Sequence, residues 1–194
     1  LPAMKVVRDS KFRHVHGEPL KTKYDDLRLS SKATEGNGIC ANTKHFAVAW
    51  ESGGGGSLAV IPHSKHGRLP RDLPLISGHT GPVLDFNFNP FNEDMICTAS
   101  EDLTIKIWQI PEDGMKGNLR DAAAVLEGHG KKVAFSIWNP VVSGVIASAA
   151  FDMTCKIWDL EEQAEVYSID TKDQVWNMKW NWTGSLVAAS TKDK

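Results

Sequence analysis

The chain has 194 residues, a formal net charge of −2 at pH 7 and a hydrophobic content of 41%, as expected of a soluble globular protein. The balanced charge gives no indication of nucleic-acid binding. No apolar run approaches the roughly 18 residues of a transmembrane helix, and the first 20 residues lack the apolar region of a secretory signal peptide. The three cysteines, Cys40, Cys97 and Cys155, are far apart in the sequence, which predicts reduced thiols in a cytosolic protein.

Residues 1–35 form a basic N-terminal segment. Residues 1–32 contain eight Lys and Arg against four Asp and Glu, a net charge of +4. Residues 11–16 alternate in the manner of a short edge strand. A solvated basic lead-in explains the pattern by itself, and a concentration of one charge is also a footprint for a partner.

Residues 36–77 are predicted to form a first, degenerate unit of a repeat that becomes clear further along the chain. After a Gly-Asn-Gly turn, three strand-like runs follow at Ile39–Ala41, His45–Trp50 and Ser57–Ile61. Leu73–Ile76 is predicted as the last strand of this unit.

Two motifs within this unit resemble ligand sites. Gly53–Gly56 is glycine-rich, but no Gly-Lys-Ser/Thr and no helix follow it, so a tight loop is favoured over a phosphate cradle. His63 and His66 have a spacing suited to a metal pair, but no Cys or carboxylate partner is placed nearby. A surface loop is the favoured interpretation, and the sequence predicts no metal site.

The strongest pattern is a 32-residue stretch that occurs twice, 50 residues apart and without a gap. Gly78–Gln109 and Gly128–Asp159 are identical at 12 of 32 positions. Each copy opens with Gly-His and closes with Trp-Gln or Trp-Asp, with strand-like runs between, which is the signature of a WD40 β-propeller blade. Residues 78–127 and 128–170 are therefore predicted as blades 2 and 3, after a blade 1 at 36–77. The longer period of the first copy is assigned to a polar insertion at 111–121.

Residues 171–194 are predicted to begin a fourth blade. Val175 follows Val133 at a spacing of 42, and alternation continues through Trp180. The Gly-His opening is absent from this copy, and Asp193 stands where Asp152 stands in the preceding one.

The blade count of about three and a half predicts that the chain belongs to a longer propeller or is completed by a second chain, since propellers close with about 4–8 blades. Open blade faces would expose unpaired edges, and the isolated chain is expected to self-associate. The sheets should form an arc with the first strand of each blade near the inner rim. The residues expected at that rim are Val83, Val133 and Val175, and those expected at corresponding places in successive blades are Phe88, Trp138 and Trp180.

Polar residues recur at fixed spacing in the two full repeats. Each copy places an Asp 23 residues after the His and a Trp 6 residues after the Asp, with a Thr or Ser between. These types can form one buried chain in which Asp accepts from His, His meets the hydroxyl, and the hydroxyl accepts from the indole N–H. The two predicted tetrads are His79, Thr98, Asp102 and Trp108, then His129, Ser148, Asp152 and Trp158.

A Ser, a His and an Asp are also the members of a hydrolase triad. The Ser aligns with a Thr in the other copy, and no Gly-x-Ser-x-Gly elbow is present. The structural chain is therefore favoured. No cofactor motif, metal cluster or activated nucleophile is visible, so the sequence predicts no catalytic residue and a protein that is not an enzyme.

Five segments resemble the coronin family of WD40 proteins. They are Ser10–Val15, Tyr24–Arg28, Ser52–Gly55, Gly78–Asp85, and Ser100–Asp102 together with Trp108–Gly114. The resemblance covers nearly the whole chain. It implies a cytosolic protein of the actin cytoskeleton, with a seven-bladed propeller that binds filamentous actin. It also implies a following extension and a C-terminal coiled coil, outside these residues, that oligomerises the protein and reaches the actin-nucleating complex.

The resemblance also implies an actin-binding residue. The Arg of the family's Tyr-x-Asp-x-Arg stretch falls on Arg28, and an exposed Arg can form bidentate bonds to carboxylates on an acidic filament. Lys11 and Arg13 are further candidates, although their segment resembles the strand that closes the ring against the last blade. Two functions stay open: a non-catalytic actin-binding propeller, and a WD40 scaffold for other complexes with actin binding incidental.

Overall fold

The structure is a computed structural model that describes residues 21–31, 36–53 and 56–192. Every regular element in these ranges is a β-strand, and no helix there could cross a membrane. The strands form three four-stranded sheets, an antiparallel hairpin and a short parallel pair. This confirms the all-β fold predicted from the repeat.

The first sheet contains the strands expected of the degenerate unit. In order across the sheet they are β2 (Ile39–Ala41), β3 (His45–Trp50), β4 (Ser57–Pro62) and β6 (Leu75–Ile76). All three pairings are antiparallel. Both faces of β3 and β4 are covered, which is why these strands read as continuous apolar runs rather than as an alternation.

The second and third sheets repeat this meander. The second runs β7 (Val83–Phe88), β8 (Met95–Ser100), β9 (Ile105–Gln109) and β10 (Ala124–Leu126). The third runs β11 (Val133–Trp138), β12 (Val145–Ala150), β13 (Thr154–Asp159) and β14 (Ala164–Asp170). The hairpin consists of β15 (Val175–Trp180) and β16 (Val187–Thr191). In β7–β9 and β11–β13, the apolar and β-branched residues at the strand centres suit a buried, pleated surface.

The first strands of successive sheets pack side by side. β2 contacts β7, β7 contacts β11 and β11 contacts β15, which is the arrangement of the inner strands of a propeller. β7, β11 and β15 each carry a register shift directly after their first residue, namely Val83, Val133 and Val175. A bulge at the same position of three strands increases the local right-handed twist of each of them.

A short strap covers the first sheet. It consists of residues 21–31 and contains β1 (Tyr24–Asp25), which pairs in parallel with β5 (Gly67–Arg68). Further along the strap, Leu29 bridges Trp50 at the end of β3. The sequence analysis did not predict this strap. The closing strand expected at Lys11–His16 and the fourth-blade Asp193 lie outside the described residues.

Buried clusters join each sheet to the next. Ala47 and Ile76 of the first sheet share a core with Phe86 and Trp108 of the second. The opposite face of β3 packs instead with the strap, through a cluster that includes Leu27. The strap therefore covers the face of the first sheet that is turned away from the second.

Candidate functional site

The predicted tetrad of the second sheet is assembled as one hydrogen-bonded chain. The indole Nε1–H of Trp108 donates to Thr98 Oγ1 over 2.8 Å. That hydroxyl lies 2.6 Å from His79 Nε2, and His79 Nδ1 lies 2.8 Å from Asp102 Oδ2. An ionised Asp102 can only accept hydrogen bonds, so His79 donates to it through Nδ1–H. The other ring nitrogen, Nε2, then accepts a hydrogen bond from the Thr98 hydroxyl.

The third sheet repeats this geometry. Trp158 Nε1–H donates to Ser148 Oγ over 2.7 Å, and Ser148 Oγ lies 2.7 Å from His129 Nε2. His129 Nδ1 lies 3.0 Å from Asp152 Oδ2. The sequence therefore brings all eight predicted tetrad residues into two groups of four with the same internal contacts.

Each Asp of the tetrads also organises a turn. The carboxylate of Asp102 accepts from the backbone N–H groups of Thr80 and Thr104 and from the Thr104 hydroxyl. Burial raises the pKa of this carboxyl, but the bonds from His79, Thr104 and Thr80 outweigh burial and hold the pKa well below its usual range. Asp102 therefore stays ionised while it ties the opening of the repeat to the turn between β8 and β9.

The opening glycine of the repeat has a steric reason. A Cβ added to Gly78 would lie 2.3 Å from the backbone oxygen of Arg120 and 2.7 Å from the Trp108 ring. At Gly128 the nearest atom would be the ring of Trp158, at 3.2 Å. The opening Gly and the closing Trp are thus coupled, because a side chain would clash with the Trp108 ring at Gly78 and would crowd the Trp158 ring at Gly128.

The Ser–His–Asp group of the third sheet does not have the exposure of a nucleophile. Ser148 is fully buried, and its oxygen is used by both Trp158 and His129. A nucleophilic Ser needs a substrate-accessible oxygen and an oxyanion site. The arrangement joins β12, β13 and the loop before β11, and its role is to satisfy buried polar groups.

A buried carboxylate between the sheets was missed by the sequence analysis. Asp85 on β7 accepts the backbone N–H of Ser136 on β11 over 3.0 Å and a bond from Asn87 over 3.2 Å. Burial raises its pKa to about 6, against the lowering effect of these hydrogen bonds. Asp85 lies within the Gly78–Asp85 segment quoted above, but it occurs in only one copy of the repeat, so repetition gave no signal for it.

Arg28 lies on the strap with its side chain exposed. Its backbone oxygen accepts from Glu51 N–H over 2.8 Å, which fixes the strap against the end of β3. Within the described residues its guanidinium makes no ion pair. Together with Arg68 and Arg71 it lines a shallow cavity of about 360 Å³. Lys11 and Arg13, the other two predicted contacts, lie outside the described residues.

The Arg28 surface carries one internal ion pair. Arg68 Nε donates to Asp26 Oδ2 over 2.6 Å, and both side chains are largely exposed. Arg71 is exposed and forms no ion pair within the described part of the chain. Arg28 and Arg71 therefore present two positive charges that no described carboxylate compensates, beside the paired Arg68, on an outer surface of the first sheet.

The remaining candidates from the sequence are not assembled into a site. His63 Nε2 lies 2.9 Å from the backbone oxygen of Asn42 and is separate from any carboxylate cluster. Across the described ranges, no group of three or more His, Cys, Asp or Glu is placed to hold a metal ion. The three cysteines are free thiols, and burial raises the pKa of Cys97 to about 12 and that of Cys155 to about 11. Such thiols are poor nucleophiles at neutral pH.

Comparison with known proteins supports the same assignment. The family model described as WD domain, G-beta repeat matches residues 71–109 and 121–159, and a family described as a domain of unknown function, DUF1899, matches residues 5–68. The crystal structure of the WD40 domain of Toxoplasma gondii coronin superposes with a TM-score of 0.87 at 42% identity, over 91% of this chain and 45% of that chain. The sheets, the tetrads and these matches define part of a WD40 β-propeller protein.

The sequence relatives give the family. Coronin-A of Dictyostelium discoideum is 49% identical over 193 residues, which is 98% of this chain and 43% of that protein. The chain belongs to the coronin family, and it spans less than half the length of the relatives it matches.

Proposed function

We propose that this chain contributes a filamentous-actin-binding surface to a non-catalytic, coronin-like cytoskeletal regulator in the cytoplasm. The observation that carries the proposal is the exposed guanidinium of Arg28 on the strap, which makes no ion pair with any residue that the structure describes. Membership of the coronin family makes filamentous actin the proposed partner, and the positive charge of this surface supports the proposal because it would attract an acidic filament.

The position of Arg28 suits recognition better than stability. The strap is held by backbone hydrogen bonds, including Ser30 N–H to Ala49 O and Glu51 N–H to Arg28 O. The Arg28 side chain is not needed for these bonds. A guanidinium on a fixed backbone can form two parallel bonds to one carboxylate, which gives both orientation and affinity.

Arg71 and Arg68 extend the proposed surface, and Lys11 and Arg13 are proposed to add to it. In the whole protein, a coiled coil outside this chain would oligomerise the propellers and reach the actin-nucleating complex. Several propellers on one oligomer would then bind a filament together, and the affinity of the oligomer for the filament would exceed that of a single propeller.

Co-sedimentation of the full-length protein with actin filaments tests the proposal. Arg28→Asp should weaken binding by at least about tenfold, because a lost charge-assisted pair costs about 1.5–3 kcal/mol. Arg28→Lys keeps the positive charge but lacks the paired N–H donors of the guanidinium, so its affinity for filaments should lie between those of the parent and Arg28→Asp. Lys131→Asp, an exposed charge reversal at the start of the third sheet, is the matched control. The difference between the parent and Arg28→Asp should shrink with added salt, since exposed pairs are screened over about 10 Å at 0.1 M.

Two results would count against the proposal. A correctly folded Arg28→Asp protein that sediments like its parent would remove Arg28 from the binding site. A parent protein that does not sediment with filaments at low salt would leave the propeller as a scaffold for other partners.

A further inference from the structure

A groove separate from the tetrads opens beside the connection between β4 and β6. It has a volume of about 350 Å³, within the range of about 300–1,000 Å³ that is typical of ligand sites. One side is formed by the end of β4 and the residues that follow it, and the other by Ile110 and Met115 at the start of the insertion in the second sheet. The insertion that lengthens the repeat thus forms part of the wall of this groove.

The floor of the groove is apolar. Ile61 and Leu69 are buried in the core of the first sheet and also line the groove. Leu73, Ile110 and Met115 add to the apolar lining. A surface of this kind accommodates one or two apolar side chains of a partner, and burying a leucine- or phenylalanine-sized group contributes about 1.5–3 kcal/mol.

The lining is positively charged. It includes Lys65, His66 and Arg68 and contains no carboxylate. Arg68 is already paired with Asp26. Lys65 and His66 are exposed, and neither forms an ion pair with any other residue that the structure describes. An unpaired lysine beside an exposed imidazole, both at the edge of an apolar floor, is complementary to an apolar side chain flanked by carboxylates, because the ammonium attracts a carboxylate and an imidazole N–H can donate to one.

We propose that this groove docks a peptide segment of a partner protein in which a Leu or Phe is flanked by Asp or Glu. The apolar residue fills the floor over Leu69, and the flanking carboxylates meet Lys65 and His66. The interaction goes beyond filament binding, because it rests on Lys65 and on the wall formed by Ile110 and Met115, which do not line the Arg28 cavity, although Arg68 and Leu69 line both.

Fluorescence polarisation with labelled peptides tests the proposal on the full-length protein. The probe is the peptide GEDLFEDG, and the matched peptides are GEDAAEDG, which lacks the apolar pair, and GKKLFKKG, which reverses the charge. We expect GEDLFEDG to bind at least tenfold more tightly than either matched peptide. The double variant Lys65→Glu/His66→Glu should weaken this binding at least tenfold, and Met115→Asp should do the same by placing a carboxylate on the apolar wall.

The controls separate this groove from the filament surface. Lys131→Glu, far from the groove in sequence and exposed, should bind the peptide as the parent does, and Arg28→Asp should change the affinity by less than twofold. Loss of peptide binding in Arg28→Asp would place the peptide on the Arg28 surface and overturn the proposal. Equal binding of the three peptides, no binding of GEDLFEDG up to millimolar concentration, or an unaffected Lys65→Glu/His66→Glu variant would overturn it as well.

Discussion

The hydroxyl at the centre of the second-sheet tetrad offers a sharp test of the buried network. Thr98 is fully buried, and its Oγ1 connects Trp108 Nε1 with His79 Nε2. Thr98→Val keeps the shape of the side chain and deletes only the hydroxyl. Thr98→Ser keeps the hydroxyl and deletes only a methyl group, and Ser is the residue that the third sheet uses at the equivalent position, Ser148.

The two substitutions should lower the free energy of unfolding by different amounts, because they remove different groups. Thr98→Val leaves two buried groups, the Trp108 N–H and His79 Nε2, without a partner. Each unsatisfied group costs about 1–3 kcal/mol, so the free energy of unfolding should fall by about 2–6 kcal/mol. Thr98→Ser removes one buried methyl, at a cost of roughly 1 kcal/mol.

Urea unfolding of the full-length protein, followed by tryptophan fluorescence, distinguishes these outcomes. Both variants should unfold at lower urea than the parent, with Thr98→Val lower than Thr98→Ser by at least about 1 kcal/mol at an unchanged slope. If Thr98→Val were as stable as Thr98→Ser, the hydroxyl would not join the Trp and the His, and the network would not stabilise the sheet as described.

Three further predictions concern stability. Either His129→Ala or Asp152→Ala should lower the free energy of unfolding by roughly 1–3 kcal/mol, and a melting temperature equal to the parent's would contradict the tetrad. In the same melting assay Gly78→Ala should be strongly destabilising, whereas Gly130→Ala, whose added Cβ would meet nothing closer than 3.9 Å, should be close to neutral. Burial holds the pKa of Asp85 at about 6 in the folded state, above the ordinary 3.8, so its contribution is fully present below pH 3.8 and is lost as the pH rises through 6. The stability of Asp85→Asn relative to the parent should therefore increase by roughly 2–3 kcal/mol between pH 4 and pH 7 in urea unfolding, and a difference that does not vary with pH would refute this.

Repetition explains why much of the fold could be predicted from the sequence. The second and third sheets follow one pattern twice, so an alignment of Gly78–Gln109 with Gly128–Asp159 separates structural positions from chance matches. The steric reason for the opening Gly was not visible in the sequence, because it depends on the Trp108 ring and the Arg120 backbone, which approach Gly78 only in the folded sheet.

Features that occur once were harder to predict. The strap around Tyr24 pairs with residues 67–68 over two positions only, and such a short parallel pair leaves no periodicity to detect. Asp85 looks like an ordinary polar residue in an alternating strand until β11 is packed against β7. Neither feature has a counterpart in the other copies, and both depend on contacts distant in sequence.

The repeated polar residues have structural roles, whereas the residues proposed for recognition are not repeated. The tetrads stand at equivalent positions in two sheets, and their polar atoms are consumed by one another. The exposed side chains of Arg28, Lys65 and His66 lie outside the two aligned repeats, and no described carboxylate pairs with Arg28 or Lys65. A fixed repeat satisfies its buried polar groups internally, and it can therefore carry different charges on its connections without cost to the core. In this chain, binding specificity is accordingly expected on the strap, the β4–β6 connection and the insertion at 111–121, where one sheet differs from the next.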